Sequence, residues 1–98
     1  MKLTLSKNAI GFIRQERTYL ERFNPHAAEA VVKQLQRAFQ LLTQYPMAGE
    51  EYTLLPGRRR FVSGDYVIDY RIGRQVLTVS HIRHGRQMAP ELEKDGDI

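Results

Sequence analysis

Residues 54–88 alternate apolar and polar side chains in three short runs, and this pattern limits the fold more than any other part of the chain. Alternation with a period of two is typical of strands with one buried face, so we predict strands over 59–63, 66–71 and 76–83. A glycine begins each break, in Gly64-Asp65 and in Gly73-Arg74. Glycine reaches positive φ without a Cβ clash, so each break fits a two-residue type II′ turn. The stretch therefore predicts a β-meander.

Strict alternation also predicts which side chains share a face of these strands. In the middle strand, Tyr66, Ile68 and Tyr70 should point one way and Val67, Asp69 and Arg71 the other. In the last strand, one face should carry Val76, Thr78, Ser80 and Ile82, and the opposite face Leu77, Val79 and His81.

The same stretch concentrates positive charge. Between residues 55 and 86 there are seven arginines, two aspartates and no lysine, whereas residues 87–98 carry a net charge of −3. Arginine is the cation suited to planar, bidentate contact with phosphate or carboxylate. Segregated charge of this kind indicates a partner that is acidic where it meets the sheet, although exposed strands also use charged positions to avoid aggregation.

The composition limits the remaining alternatives. Ninety-eight residues with 42% hydrophobic and 27% charged content predict one globular domain spanning 1–98. The absence of cysteine excludes disulfides and thiolate metal sites. No apolar run approaches the roughly 18 residues of a membrane span, and residues 1–5 are too short and polar for a secretory signal. We therefore expect a cytoplasmic protein, and a net charge of +4 permits nucleic-acid binding without requiring it.

The first half of the chain predicts a short strand and two helices. Residues 2–5 alternate as a strand, and Ser6 is suited to cap a helix over 7–23 whose apolar stripe is Ala9, Ile10, Ile13, Leu20 and Phe23. Asn24-Pro25 then ends one helix and begins another, over 25–44, because asparagine is a good N-cap and proline fits the first helical turn. Residues 50–57 should form a connecting loop. Two helices separated by one residue must fold back as a hairpin, which needs a sheet to cover.

The predicted order is β-α-α-β-β-β, an α+β fold in which a two-helix hairpin packs on one face of an antiparallel sheet. This order resembles the RelE/ParE superfamily of bacterial toxin–antitoxin toxins, over about residues 3–88. The resemblance is carried by four segments in order: YPMAG (45–49), GRRRF (57–61), GDYVIDYRI (64–72) and HIRHGRQ (81–87). The His-Gly-Arg ending is more similar to the ParE branch than to the RelE branch.

The two branches imply different functions. RelE-like toxins cleave messenger RNA on the ribosome, which requires cations and an acid or base beside the phosphate. Arg86 matches the arginine of that pattern at the end of the last strand, but its central-strand arginine falls on Tyr66 or Val67, and no tyrosine follows Tyr70. ParE-like toxins, by resemblance, inhibit DNA gyrase by binding and need no catalytic pair. We therefore expect a non-enzymatic toxin that blocks replication, with a ribosome-dependent endoribonuclease, or a toxin fold that has lost toxicity, as the alternatives.

Histidine is the remaining source of acid–base chemistry. His81 and His84 are three residues apart, so an extended strand points them to opposite faces unless it ends at Arg83. We expect His84 to end the strand, with its imidazole bonded to nearby backbone. No third ligand lies at a useful spacing, so no metal site is predicted.

The resemblance also implies partners and contact residues. We expect a hetero-oligomer with a ParD-like antitoxin that brings apolar anchors and acidic side chains, DNA gyrase as the target, and no cofactor, membrane or small-molecule substrate. The candidate antitoxin-binding residues are Phe12, Tyr19 and Arg71. The candidate target-binding residues are Arg58, Arg59, Arg60, Arg83, His84 and Arg86.

Overall fold

The structure, a computed structural model, describes residues 1–52 and 55–85. The strands are β1 (Lys2–Leu5), β2 (Glu50–Glu51), β3 (Arg58–Ser63), β4 (Tyr66–Ile72) and β5 (Val76–His84). The helices are α1 (Lys7–Phe23) and α2 (Pro25–Gln44), followed by a single 3-10 turn, Pro46–Ala48. The predicted α+β class is confirmed, and both helix ranges agree with the sequence prediction.

Side-chain caps set the helix boundaries. The backbone N–H of Ala9 donates to Ser6 Oγ at 3.1 Å, which satisfies one of the unpaired amides at the start of α1. Asn24 Oδ1 accepts from the N–H groups of His26 and Ala27 at the start of α2. Because Asn24 is also the C-cap of α1, one residue ends the first helix and begins the second. The chain therefore reverses without a loop.

Within the described residues, the sheet has five strands in the order β1-β5-β4-β3-β2. The meander β3-β4-β5 is antiparallel, as predicted, but β1 pairs parallel with β5, from Lys2 opposite Val76 to Leu5 opposite Val79. The sheet is therefore mixed. Glu50 and Glu51, predicted as loop, pair with Arg60 and Arg59 as a short edge strand. Two residues are too few to show a period, so this strand leaves no pattern in the sequence.

A register shift in β5 corrects the predicted faces of that strand. Asp69 pairs with His81 while the next residue, Tyr70, pairs with Val79, so Ser80 is an extra residue. Such a bulge reverses the alternation beyond it. Leu77, Val79 and Ile82 consequently all join the buried core, whereas the sequence placed Ile82 on the opposite face from the other two. The bulge also brings His84 to the helix side of the sheet.

The two glycine-led turns differ. Gly64 has a φ of 59° and Asp65 has no positive φ, as a type II′ turn requires. Gly73 has no positive φ, and Ile72 pairs with Leu77 instead of with Gln75 as a two-residue turn would demand. The second predicted turn is therefore wrong, because the connection is longer and is closed by the Gly73 N–H donating to the Val76 carbonyl at 2.8 Å.

The hydrophobic core lies between the helical hairpin and one face of the sheet. Its fully buried members include Leu35 and Leu42 of α2 and Ile68, Tyr70 and Leu77 of the sheet. The predicted stripe of α1 is correct at Ala9 and Ile13 and wrong at Ile10 and Phe23. Ala9 is buried and Ile13 packs on the core, but Phe23 is 70% exposed and Ile10 is 41% exposed. Ile10 lies about 100° around the helix from Ala9, and Phe23 has the right phase but lies in the last turn, where it contacts Tyr19.

Candidate interaction site

An open groove of about 970 Å³ runs between α1 and the second half of β5. We call it the α1–β5 groove. It forms because β1 pairs only with residues 76–79 of β5, so that α1 flanks the remainder of that strand. The residues that line it include Phe12, Gln15, Glu16, Tyr19, Ile82 and His84.

A carboxylate joins two polar groups at the wall of this groove. Glu16 Oε2 accepts from the Tyr66 hydroxyl at 2.7 Å and lies 2.7 Å from His84 Nε2. The ring of Phe12 packs edge-on against both Tyr66 and His84, with centroids 5.9 and 5.8 Å away. Burial of the phenol, together with its hydrogen bond to Glu16 and the negative charge there, raises the pKa of Tyr66. The imidazole of His84, which was predicted to bond to nearby backbone, contacts a side-chain carboxylate.

Glu16 was not predicted as a residue of this groove, although the sequence carries a signal for it. It lies seven residues after Ala9 and four before Leu20, at the centre of the apolar stripe of α1. Its side chain is only 11% exposed. A carboxylate in the buried stripe of a helix requires hydrogen-bond donors from the opposing element, and here β4 and β5 supply them.

The rim of the groove combines aromatic rings with positive charge. Tyr19 and Phe23, 57% and 70% exposed, contact each other with centroids 5.0 Å apart. Lys7, Arg14 and Arg22 also line the groove. His81 lies at the same wall, where its Nε2 is 3.3 Å from Asn8 Nδ2. Exposed rings beside cations suit a partner segment with apolar anchors and acidic side chains.

A second cationic surface lies on the opposite face of the sheet. Arg58 and Arg71 are direct cross-strand partners on β3 and β4. The same transverse row continues through Thr78 of β5 to Thr4 of β1, because these residues pair in register. Cross-strand partners share a face, and this face is the one that the helices do not cover. We call Arg58, Arg71, Thr78 and Thr4 the arginine row.

The two arginines next to Arg58 make contacts within the protein. Arg60 Nε donates to Asp69 Oδ1 at 2.9 Å, and its guanidinium lies 4.8 Å from the centroid of the Tyr52 ring. Burial opposes the charge of Arg60, but the hydrogen bond and charge of Asp69 outweigh burial and raise its pKa. Arg59 belongs to the helix side of the sheet and donates to the carbonyl oxygen of Gly49 at 2.6 Å. Both residues therefore have structural roles.

The family follows from the whole chain. Residues 3–89 match the family described as the ParE toxin of the type II toxin–antitoxin system parDE. The chain belongs to the ParE toxin family. A protein of Sinorhizobium fredii, Y4kP, described as a candidate toxin, is 39% identical over an alignment of 71 residues that covers 64% of this chain and 69% of that protein. A structure of a chromosomal ParDE system from P. aeruginosa has the same fold, with a TM-score of 0.74 at 17% identity, over 86% of this chain and 95% of that one.

This ParE family member divides the predicted contact residues between two sides of its sheet. Phe12, Tyr19 and His84 meet at the α1–β5 groove. Arg71, predicted with Phe12 and Tyr19, lies instead beside Arg58 across the sheet. The register pairs Arg83 with Val67, on the face of the arginine row. Arg86 lies outside the described residues.

The described ranges, 1–52 and 55–85, contain neither a metal-binding cluster nor a membrane-spanning helix. No group of three or more histidine or acidic side chains in them is arranged to hold a metal ion. No helix in them combines the length and apolar character that crossing a bilayer requires.

Proposed function

We propose that this ParE-type toxin stops growth by binding DNA gyrase, without catalysis, and that a ParD-like antitoxin neutralises it through the α1–β5 groove. The observation that supports a binding mechanism is the separation of its charged groups. The imidazole of His84 and the phenol of Tyr66 both contact Glu16 on the helix side of the sheet. The arginine row lies on the other side. Cleavage of RNA needs an acid or base within hydrogen-bond reach of the cations that hold the phosphate, and the sheet separates His84 and Tyr66 from Arg58 and Arg71.

The proposed antitoxin contact is supported by the composition of the groove. Phe12 and Ile82 supply an apolar floor, and Tyr19 supplies an exposed ring at the rim, where the exposed ring of Phe23 contacts it. Large exposed aromatic side chains are the residues that most often dominate protein–protein affinity. The surrounding cations match the acidic side chains that a folding-upon-binding segment would bring.

A supercoiling assay tests the proposed target. The purified full-length chain should inhibit supercoiling of relaxed plasmid by gyrase in a dose-dependent way, and DNA synthesis in cells should fall before protein synthesis after induction. Unchanged supercoiling at saturating toxin would refute gyrase as the target. An early arrest of translation with cleaved messenger RNA would instead support the ribonuclease hypothesis and refute a non-catalytic mechanism.

A matched pair of substitutions tests the groove. Tyr19→Ala removes an exposed ring at the rim and should weaken binding of a ParD-like antitoxin by tenfold or more, since interface hot spots contribute about 2 kcal/mol or more. Tyr45→Ala removes an equally exposed ring, 62% accessible, from the far end of α2 and should change the affinity less than about twofold. Titration calorimetry gives both values. Equal effects of the two substitutions on the affinity would refute the groove as the antitoxin-binding site.

A further inference from the structure

We infer that the arginine row is a binding site for the phosphodiester backbone of duplex DNA. The inference goes beyond gyrase inhibition and does not depend on it, because it concerns a direct contact between this chain and nucleic acid. Arg58 and Arg71 are register partners on adjacent strands. Side chains in that position have Cβ atoms about 5 Å apart, and like charges there destabilise a sheet.

No ion pair or hydrogen bond within the described part of the protein offsets this repulsion. The described residues place no carboxylate within 4.0 Å of either guanidinium, and neither guanidinium makes a hydrogen bond to those residues. Arg60, two residues along the same strand, has an anionic partner, because the position opposite it on β4 is occupied by Asp69. The position opposite Arg58 carries a second arginine instead. A pair of guanidinium groups without an internal anion is suited to an external one.

The two threonines of the row favour a phosphate as its ligand. Thr78 and Thr4 continue it across β5 and β1, so two hydroxyl donors follow two guanidinium groups along one line. Arginine and threonine side chains are typical phosphate contacts in protein–DNA complexes, where they position the duplex without reading sequence. Four strands each contribute one donor, and adjacent strands are about 4.8 Å apart, so the row extends over about 15 Å. This length accommodates several consecutive phosphates of one DNA strand.

The surroundings favour a duplex over single-stranded nucleic acid or a protein segment. Single strands are held by bases stacked on aromatic rings, but the Tyr52 ring at the border of this face is already covered by Arg60. A protein segment needs apolar anchors, and the exposed rings of Tyr19 and Phe23 lie on the other side of the sheet. Among the described residues of this face, Val62 is the large apolar one that is exposed, and one aliphatic side chain offers little area to a protein partner.

The salt dependence of DNA binding tests the inference. The full-length chain is titrated into a fluorescent duplex of about 20 base pairs, and anisotropy is followed between about 50 and 200 mM salt. We expect binding that does not depend on the DNA sequence. The logarithm of the association constant should fall linearly with the logarithm of the salt concentration. The double substitution Arg58→Gln, Arg71→Gln should reduce that slope by about 1.8, since each lost phosphate contact removes roughly 0.9. The affinity at the low-salt end should fall at least tenfold.

A second double substitution separates the site from net charge. Arg17→Gln, Arg37→Gln removes the same charge from exposed positions of α1 and α2. It should leave the slope within about 0.5 of the unsubstituted chain, because these positions contact no phosphate. Equal slopes for the two doubles would overturn the inference, as would the absence of binding at low salt. Tighter binding to single-stranded DNA than to the duplex would also overturn the inference and assign the row to single strands. Preferential binding of a polyglutamate peptide, abolished by the Arg58, Arg71 double substitution, would overturn it and assign the row to an acidic peptide.

Folding and the proposed target are controlled separately. The Arg58, Arg71 double should have a thermal midpoint no lower than that of the unsubstituted chain, because it relieves a like-charge pair. A chain that inhibits gyrase but binds no duplex refutes only this inference. A chain that binds duplex through the row but leaves supercoiling unchanged refutes only the proposed target.

Discussion

Replacing Tyr66 with phenylalanine tests whether the Glu16 carboxylate is a structural clamp. In the native protein Tyr66 is 4% exposed and its hydroxyl donates to Glu16 Oε2 at 2.7 Å. Phenylalanine retains the ring and its edge-on contact with Phe12, so the loss is confined to one hydrogen bond to a charged, largely buried acceptor. Bonds of this kind contribute about 1.5–3 kcal/mol. Because His84 remains beside the same carboxylate, we expect the lower part of that range, about 1.5–2 kcal/mol.

Urea unfolding measures this loss. With a slope of about 1–2 kcal/mol per molar urea for a chain of this size, the midpoint should fall by roughly 1–2 M. The matched control is Tyr19→Phe, which removes the hydroxyl of a 57% exposed ring and should shift stability by less than about 0.5 kcal/mol. In a chain that already carries Glu16→Gln, Tyr66→Phe should lower the free energy of unfolding by at least about 1 kcal/mol less than it does in the native chain. The difference is the coupling energy between the two side chains. If Tyr66→Phe and Tyr19→Phe have the same effect, the clamp is refuted.

Three further predictions follow from individual residues. Burial and the contact with Glu16 raise the pKa of Tyr66, so the folded state keeps the phenol proton after the unfolded chain begins to lose it near pH 10. The contribution of Tyr66 to the free energy of unfolding is therefore complete below that pH. Above it, the free energy of unfolding falls by up to about 1.4 kcal/mol per pH unit. Thermal melts across this range should show a shallower alkaline loss for Tyr66→Phe. Gly49→Ala places a Cβ 2.6 Å from the Tyr70 hydroxyl and 2.9 Å from the Arg60 carbonyl, and should lower the free energy of unfolding by about 1–3 kcal/mol in urea titrations. Gly11→Ala meets no atom within 4 Å on α1 and should raise that free energy by about 0.5–1 kcal/mol in the same assay.

The parts of the fold that depend on local chemistry could be predicted from the sequence. Ser6, Asn24 and Pro25 set the helix ends because capping uses a side chain and amides only two or three residues away. The antiparallel pairing of β3, β4 and β5 follows from short connections and a period of two. Long-range pairing gives no such local signal. The parallel contact of β1 with β5 joins residues more than 70 positions apart, and nothing near Lys2 indicates its direction.

The faces of β5 could not be predicted for a related reason. A bulge is set by how two strands fit together, and Ser80 is compatible with either a regular or a bulged strand. One extra residue there decides that Ile82 and His84 lie on the helix side. The clamp at Glu16 depends on that shift, since a regular strand would point His84 away from α1. Reasoning from alternation alone therefore missed both the bulge and the wall of the groove.

The arginines show which part of a charged surface the sequence can identify. Their concentration between residues 55 and 86 correctly indicated a cationic sheet, but consecutive residues on a strand point to opposite faces. Arg59 and Arg60 consequently separate, one toward the Gly49 carbonyl and one toward Asp69. Arg58 instead meets Arg71, which is 13 positions away and was predicted to contact a different partner. The composition predicts the charge of the surface, and the strand register decides which arginines meet.

The separation of the groove from the arginine row has a consequence for neutralisation. A segment that fills only the α1–β5 groove lies on the helix side and does not cover Arg58 and Arg71 on the opposite face. If those arginines contact DNA, occlusion requires an antitoxin chain that continues around an edge of the sheet. An antitoxin truncated after its groove-binding part should then bind this ParE family member with little loss of affinity while leaving its duplex binding intact. The two surfaces would be separable, with Tyr19 affecting antitoxin affinity and the Arg58, Arg71 pair affecting the contact with DNA.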